Sequence, residues 1–414
     1  MTAGAPGAPG APGAADGTID AADVARWRAD TPGVAKRHHL NNAGASLQPR
    51  VVTDAVRGHL DLESEIGGYE AAAAAQARID DAYRAIGALV RVPPGNIAVT
   101  SSATASYAVA LSAFDFTPGD TIVTTRADYL SNRIMFESLG ARRGVRVVEA
   151  ADLPAGGVDP DSVRTLIRTE RPQLVAVTWI PTFGGLVQRV ADVGAACAVA
   201  GVPFLVDACQ AVGQVDVDLA AVRCDFLAAT ARKFLRGPRG IGFLAVSDAM
   251  LERRRFPLFV DMRGASWTGP GGMVLADGAR RFEQWEQPHA LVLGMGAAVR
   301  YALQVGVPRA AARAHALAAD VRRRLAALPG VRSLDRGETL SAIAAFACPG
   351  PDAAMIVRAL RERGVNTSAQ SLDENAFALG HLGATSLLRV SPHYYNDASD
   401  LDAVEVALGE VLSG

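Results

Sequence analysis

Lysine is almost missing from this chain. Its 414 residues include 41 Lys plus Arg, yet only Lys36 and Lys233 are lysine. Cysteine is scarce too: Cys197, Cys209, Cys224 and Cys348 are the four. They form no CxxC pair, which excludes the common zinc and dithiol spacings, and they read as buried reduced thiols. Charge of one sign is also in short supply. The formal net charge is -2 and no long like-charged run occurs, so nothing favours nucleic acid or an anionic membrane as partner. The cluster Arg253, Arg254, Arg255 reads as a solvated helix face. No apolar run reaches membrane-spanning length and no leader pattern opens the chain. The expectation is a cytoplasmic protein.

What is present has a clear rhythm. The opening stretch "MTAGAPGAPGAPGAADG" repeats Ala-Pro-Gly and offers nothing to pack, so residues 1–17 are expected to be a disordered tail. From about residue 80 to 250, helical stretches alternate with short, continuously apolar runs: 96–102, 120–125, 173–180, 202–209, 224–230 and 240–247. Continuous rather than alternating apolar character belongs to strands covered on both faces. The pattern predicts an α/β domain with a mainly parallel sheet. A long helix is expected over about 289–305. Beyond it, strand, helix, strand and helix follow, as in a smaller α+β domain.

Three features fall at the ends of the expected strands, where open α/β sheets bind ligands. In "VTSSATASYAVAL" an apolar strand runs into small hydroxyl residues and a helix starts near Thr104. Free N–H groups and the helix dipole there suit a phosphate, although Ser and Thr are equally ordinary helix caps. In "FLVDACQ", Asp207 ends an apolar run. It can be a cap, a metal ligand or the partner of a ring nitrogen. In "TARKFLRGPRG", Lys233 stands where arginine would carry the same charge. An amine can lose its proton and attack a carbonyl; a guanidinium cannot. The neighbouring "GPRGIG" has the look of a nucleotide loop, but it leads into a strand where that fingerprint must open a helix.

Taken together, the three features suit pyridoxal 5'-phosphate. That cofactor needs a lysine for its Schiff base, a carboxylate for its ring nitrogen and a helix N-terminus for its phosphate.

The order of these motifs resembles class V aminotransferases, a branch of the fold-type I pyridoxal phosphate enzymes. The likeness runs from about Leu40 to the carboxyl terminus. It is carried by "DACQAVGQVDVDLAAVRCDFLAATARKFLRGPRGIGFLAV", in which Asp207 and Lys233 are 26 residues apart. The resemblance implies a large cofactor-binding domain at 51–288, with a mainly parallel seven-stranded sheet between helices. It implies a small α+β domain at 289–414 and a segment at 18–50 that joins the small domain. It implies a homodimer and an amino-acid substrate.

The resemblance also assigns roles. Lys233 forms the Schiff base and moves the α-proton. Asp207 pairs with the ring nitrogen and Gln210 with the ring hydroxyl. Ala103, Thr104 and Thr230 hold phosphate. Tyr129 takes the ring-stacking position. Arg389 clamps the substrate carboxylate, and Asn42 lies on the substrate side. Two positions depart from the family pattern: Arg232 replaces the usual histidine before the lysine, and Thr182 replaces an asparagine near the ring hydroxyl.

The stretch "VNTSAQSLDENAFALGHLG" contains none of the mobile-loop cysteine that cysteine desulfurases use to accept sulfur. The stretches "EIGGYEAAA" and "RVSPHYYNDASDLDA" are similar to the hercynylcysteine sulfoxide lyase branch, and "RRFEQWEQ" also to epimerases like isopenicillin N epimerase. The implied reaction is β-elimination across a C–S bond of an S-substituted cysteine. Aminotransfer or epimerisation uses the same residues, and a catalytically silent cofactor-binding protein is the alternative of another class.

Overall fold

The computed structural model describes residues 19–371, 373 and 383–413. The Ala-Pro-Gly tail lies outside the described residues. So do residue 372 and residues 374–382 of the cysteine-free stretch.

Seven strands pair into one central sheet. They are β1 (Ile97–Thr100), β2 (Thr121–Thr125), β3 (Arg146–Ala150), β4 (Leu174–Thr178), β5 (Phe204–Asp207), β6 (Phe226–Thr230) and β7 (Gly242–Val246). The order across the sheet is β3-β2-β4-β5-β6-β7-β1. Neighbours run parallel from β3 to β6. Only β7 is antiparallel to the strands beside it. β3 is the strand that no apolar run announces. It lies at the sheet edge, and its Arg146 and Glu149 are exposed. An edge strand need not be apolar on both faces.

Side-chain alternation explains why the inner strands are apolar throughout. Phe204 and Val206 enter one core while Leu205 enters the core on the other face; Leu227 and Ala229 oppose Phe226 and Ala228 in the same way. The period of two delivers each residue to one face or the other, and helices cover both. Phe226 sits edge-on to Phe282, ring centroids 5.8 Å apart. Truncating it to alanine should cost about 3–5 kcal/mol.

The helix Ala103–Leu111 packs on β6 and β7. Gly242 permits its close approach: a Cβ there would come 2.9 Å from the Ala103 amide nitrogen and 2.4 Å from the Ala229 carbonyl oxygen. The long helix His289–Val305 lies against the helices Arg50–Ile66 and Gly68–Val90.

A second, antiparallel sheet orders Arg332–Ser333, Ala344–Ala347, Ser386–Val390 and Ser368–Ser371. The helices Val307–Ala326, Ala353–Glu362 and Ala398–Ser413 close its core around Phe346, Leu388 and Leu401. The amino-terminal segment reaches this unit. His38–His39 pairs in parallel with Val365–Asn366, and Asn41 bridges to Ser391. Among the described residues, no single helix is long and apolar enough to cross a membrane.

Candidate active site

The carboxyl ends of β4, β5 and β6, together with the turn after β1, surround a cavity of about 280 Å³. Ala103, Thr104, Tyr129, Thr182, Asp207, Gln210, Thr230, Arg232 and Lys233 all line it. These residues are scattered over 130 positions of sequence, and the strand order brings them together.

Lys233 follows β6 in a tight loop. The Gly237 amide donates to the Ala231 carbonyl at 2.7 Å, and the Arg236 amide to the Lys233 carbonyl at 2.9 Å. Arg236 anchors the loop from below. Its buried guanidinium donates to Leu47 O at 2.9 Å, the Tyr394 hydroxyl at 2.7 Å and Thr31 Oγ1 at 2.5 Å, and it lies 4.3 Å from the Tyr395 ring centroid. Lys233 itself is only 8% exposed. Burial holds its ammonium below the usual lysine range, with Arg232 and Arg389 pushing the same way and Cys209 and Asp207 opposing. A desolvated cation loses its proton more readily.

Asp207 ends β5 and is held at both oxygens. Oδ1 accepts from the Cys209 amide at 2.9 Å, and Oδ2 accepts from Asn132 Nδ2 at 3.1 Å. The same Asn132 nitrogen donates to Asp128 Oδ1, also at 3.1 Å. Thr178 Oγ1 and Thr124 Oγ1 donate to the Asp128 carboxylate at 2.5 and 2.7 Å. Burial nevertheless pushes the Asp128 carboxyl up from its usual range.

The helix N-terminus after β1 is capped by Ser102, whose Oγ accepts from the Ala105 amide at 3.1 Å. The first amides of such a helix have no intrahelical acceptor, and Ala103 and Thr104 bring theirs to the cavity. Thr230 Oγ1 donates a long bond of 3.4 Å to Ile241 O. Gln210 Nε2 donates to Ala43 O at 3.0 Å, while its buried Oε1 has no partner among the described residues.

Arg389, on Ser386–Val390, reaches across from the second sheet. Its Nη1 donates to both Thr182 O and Thr182 Oγ1, at 2.7 and 2.8 Å, and its Nη2 to Asn41 Oδ1 at 3.4 Å. Asn42 is the expected residue that the structure keeps away from the cavity. Its Nδ2 donates to Ser391 O at 2.8 Å and its Oδ1 accepts from the Tyr395 hydroxyl at 2.6 Å, with the residue wholly buried. Its neighbour Asn41 is the residue that contacts Arg389. Arg232 Nη1 donates to Gly44 O, so this arginine ties the amino-terminal segment to the lysine loop.

Sequence reading missed Asn132, Asp128, Asn41 and Arg239. The spacing of Asp128 and Asn132, four residues apart, was visible, but not its link to Asp207. Cys209 lines the cavity, and burial raises its thiol well above the usual range. All four cysteines are free.

The residues fit pyridoxal phosphate on two local observations. Gln210 presents an unpartnered buried oxygen to a polar ligand, and Gly242 seats a helix N-terminus against the sheet where a side chain would lift it. A buried lysine, an aspartate at the neighbouring strand end and that helix N-terminus define a fold-type I pyridoxal phosphate enzyme. Residues 38–404 match the family described as Aminotransferase class-V, and the chain belongs to that family. Its cofactor is pyridoxal 5'-phosphate.

The chain is 32% identical to a probable hercynylcysteine sulfoxide lyase of Mycobacterium tuberculosis, over 92% of each protein. It is 25% identical to a probable cysteine desulfurase of Methanothermobacter thermautotrophicus, over 93% of this chain and 97% of that one. It superposes on a cysteine desulfurase of Escherichia coli with a TM-score of 0.86 at 25% identity, covering 96% of this chain and 99% of that one.

Proposed function

We propose that this enzyme cleaves the β C–S bond of an S-substituted cysteine, most simply a sulfoxide, releasing pyruvate and ammonia. The likeness to a sulfoxide lyase supports the substrate class. The observation that carries elimination, rather than persulfide formation, is the place of the cysteines. Cys197 and Cys224 are buried in the large core, and Cys348 packs against the core of the second sheet. Cys209 sits inside the cavity with its thiol held protonated by burial. The sequence between Val365 and Gly383 has no cysteine at all. No described thiol is poised as a thiolate sulfur acceptor, which is the form that reacts.

In this reading Lys233 would hold the cofactor through its aldehyde carbon, and Asp207 would keep the ring nitrogen protonated. Tyr129 would cover one ring face, while Ala103, Thr104 and Thr230 would take the phosphate. Gln210 and Thr182 would border the ring hydroxyl. Bound, pyridoxal phosphate supplies an electron sink for the pair left at the substrate α-carbon. Arg389, held by Thr182 and Asn41, orients the α-carboxylate. Lys233, as a neutral amine, would take the α-proton. The sulfur group departs with the bonding pair. The unsaturated amino acid that is released takes up water and yields pyruvate and ammonia.

The same reading includes a homodimer. Phe259, Met262 and Trp267, close in sequence, are 87%, 67% and 77% exposed, apolar surface that a second copy of the chain would cover.

The test is pyruvate and ammonia release from an S-substituted cysteine sulfoxide by the cofactor-loaded protein, with Lys233→Ala as control. Equal amounts of both products, absent in the control, support the proposal. Conversion of the cofactor to its amine form without pyruvate would overturn it in favour of transamination.

A further inference from the structure

The turn "GPRGIG" is not a nucleotide loop, yet the fold gives it a place. Arg239 and Gly240 line the cofactor cavity together with Thr104, and two residues on, Gly242 abuts the start of the Thr104 helix, a Cβ there coming 2.9 Å from the Ala103 nitrogen. Gly240 has φ +88°, a backbone that side chains rarely adopt, so the turn depends on glycine there. The Arg239 guanidinium has no hydrogen bond or ion pair among the described residues. Arg232 lies near enough to feel it. Burial first, and then the Arg239 charge, hold the Arg232 guanidinium below its usual range. Arg232 is itself turned towards Gly44 O, and no described carboxylate is ion-paired with either arginine.

Resting on the pyridoxal phosphate reading, we infer that Arg239 is the counter-cation of the cofactor phosphate and that the Gly-Pro-Arg-Gly turn is its clamp. With Arg232 turned to Gly44 O, the charge balance favours such a group. A phosphate monoester carries about -1.5 to -2 at pH 7. A helix N-terminus offers roughly +0.5. Thr104 and Thr230 can donate hydrogen bonds but no charge, and Ser102 Oγ already accepts from the helix. About one positive charge is missing. Arg239 supplies it, and a planar guanidinium can give two parallel N–H bonds to two phosphate oxygens.

Pyridoxal has the same ring and aldehyde without the phosphate, so it separates this role from any general effect on the site. The full chain, stripped of cofactor, is titrated with pyridoxal phosphate and with pyridoxal, as wild type, Arg239→Gln and Arg239→Lys. Inorganic phosphate is added as competitor. Arg239→Gln should weaken pyridoxal phosphate roughly 10- to 100-fold. It should leave pyridoxal within about twofold and remove most of the competition by phosphate. Arg239→Lys, which keeps the charge without the fork, should fall between. Unchanged binding of pyridoxal phosphate by Arg239→Gln, or equal weakening of both ligands, would overturn the inference alone. A wild-type protein that binds no pyridoxal phosphate would overturn the underlying reading as well.

Discussion

Asn132 Nδ2 stands 3.1 Å from Asp207 Oδ2. The two residues are 75 positions apart, and this bond, with the Cys209 amide on the other oxygen, holds the strand-end carboxylate at the cavity. Asn132 is only 2% exposed, so removing it leaves a buried acceptor unsatisfied. Asn132→Ala should lower stability by about 1–3 kcal/mol, read as a denaturant midpoint shift. The bound cofactor should also show an altered visible circular dichroism band. An unchanged band would show that Asp207 needs no such support.

Lys233→Ala should abolish turnover, by about 10³-fold or more, because nucleophile and proton carrier are lost together. The variant should retain cofactor loosely, with the absorbance of the free aldehyde. Residual turnover within tenfold of wild type would place the chemistry elsewhere.

The depressed Lys233 ammonium has a consequence for pH. Its folded-state pKa is lowered from the ordinary 10.5, so the unfolded chain binds more protons between the two values. Stability of the cofactor-free protein should therefore rise with pH across that window. The penalty is complete below the folded value and gone above the unfolded one. Lys233→Met should be more stable than wild type at neutral pH, and the difference should shrink as pH approaches 10.5. Parallel midpoints at every pH would contradict a desolvated lysine.

Asn41 and Asn42 should part company under mutation. Asn41→Ala loses the contact with Arg389 and should raise KM several-fold, with stability close to wild type. Asn42→Ala breaks bonds to Ser391 and Tyr395 in a buried network. It should cost about 1–3 kcal/mol of stability and change KM little in the folded fraction. The reverse pattern would return the substrate side to Asn42.

Much of the fold was legible because burial on both faces makes inner strands apolar throughout, and β4 to β7 all read that way. β3 escaped because an edge strand is under no such demand. The site was legible where chemistry restricts residue type. A lysine kept where arginine is the rule, an aspartate at a strand end and hydroxyls before a helix each narrow what can happen there.

What the sequence determined by itself was this inventory: Lys233, Asp207, Thr104 and the strands that carry them. Tertiary structure alone decided who meets whom. Arg389 and Thr182 lie 207 positions apart, and only the seating of the second sheet against the first brings them together. Adjacent Asn41 and Asn42 are the same residue type, and no local rule tells them apart. Asn41 bridges to Ser391 and Asn42 begins the turn that follows, and the bonds to Ser391 and Tyr395 bury Asn42 there. Asp128, Asn132 and Asp207 likewise meet only because β2 and β5 both end at the cavity, with β4 between them.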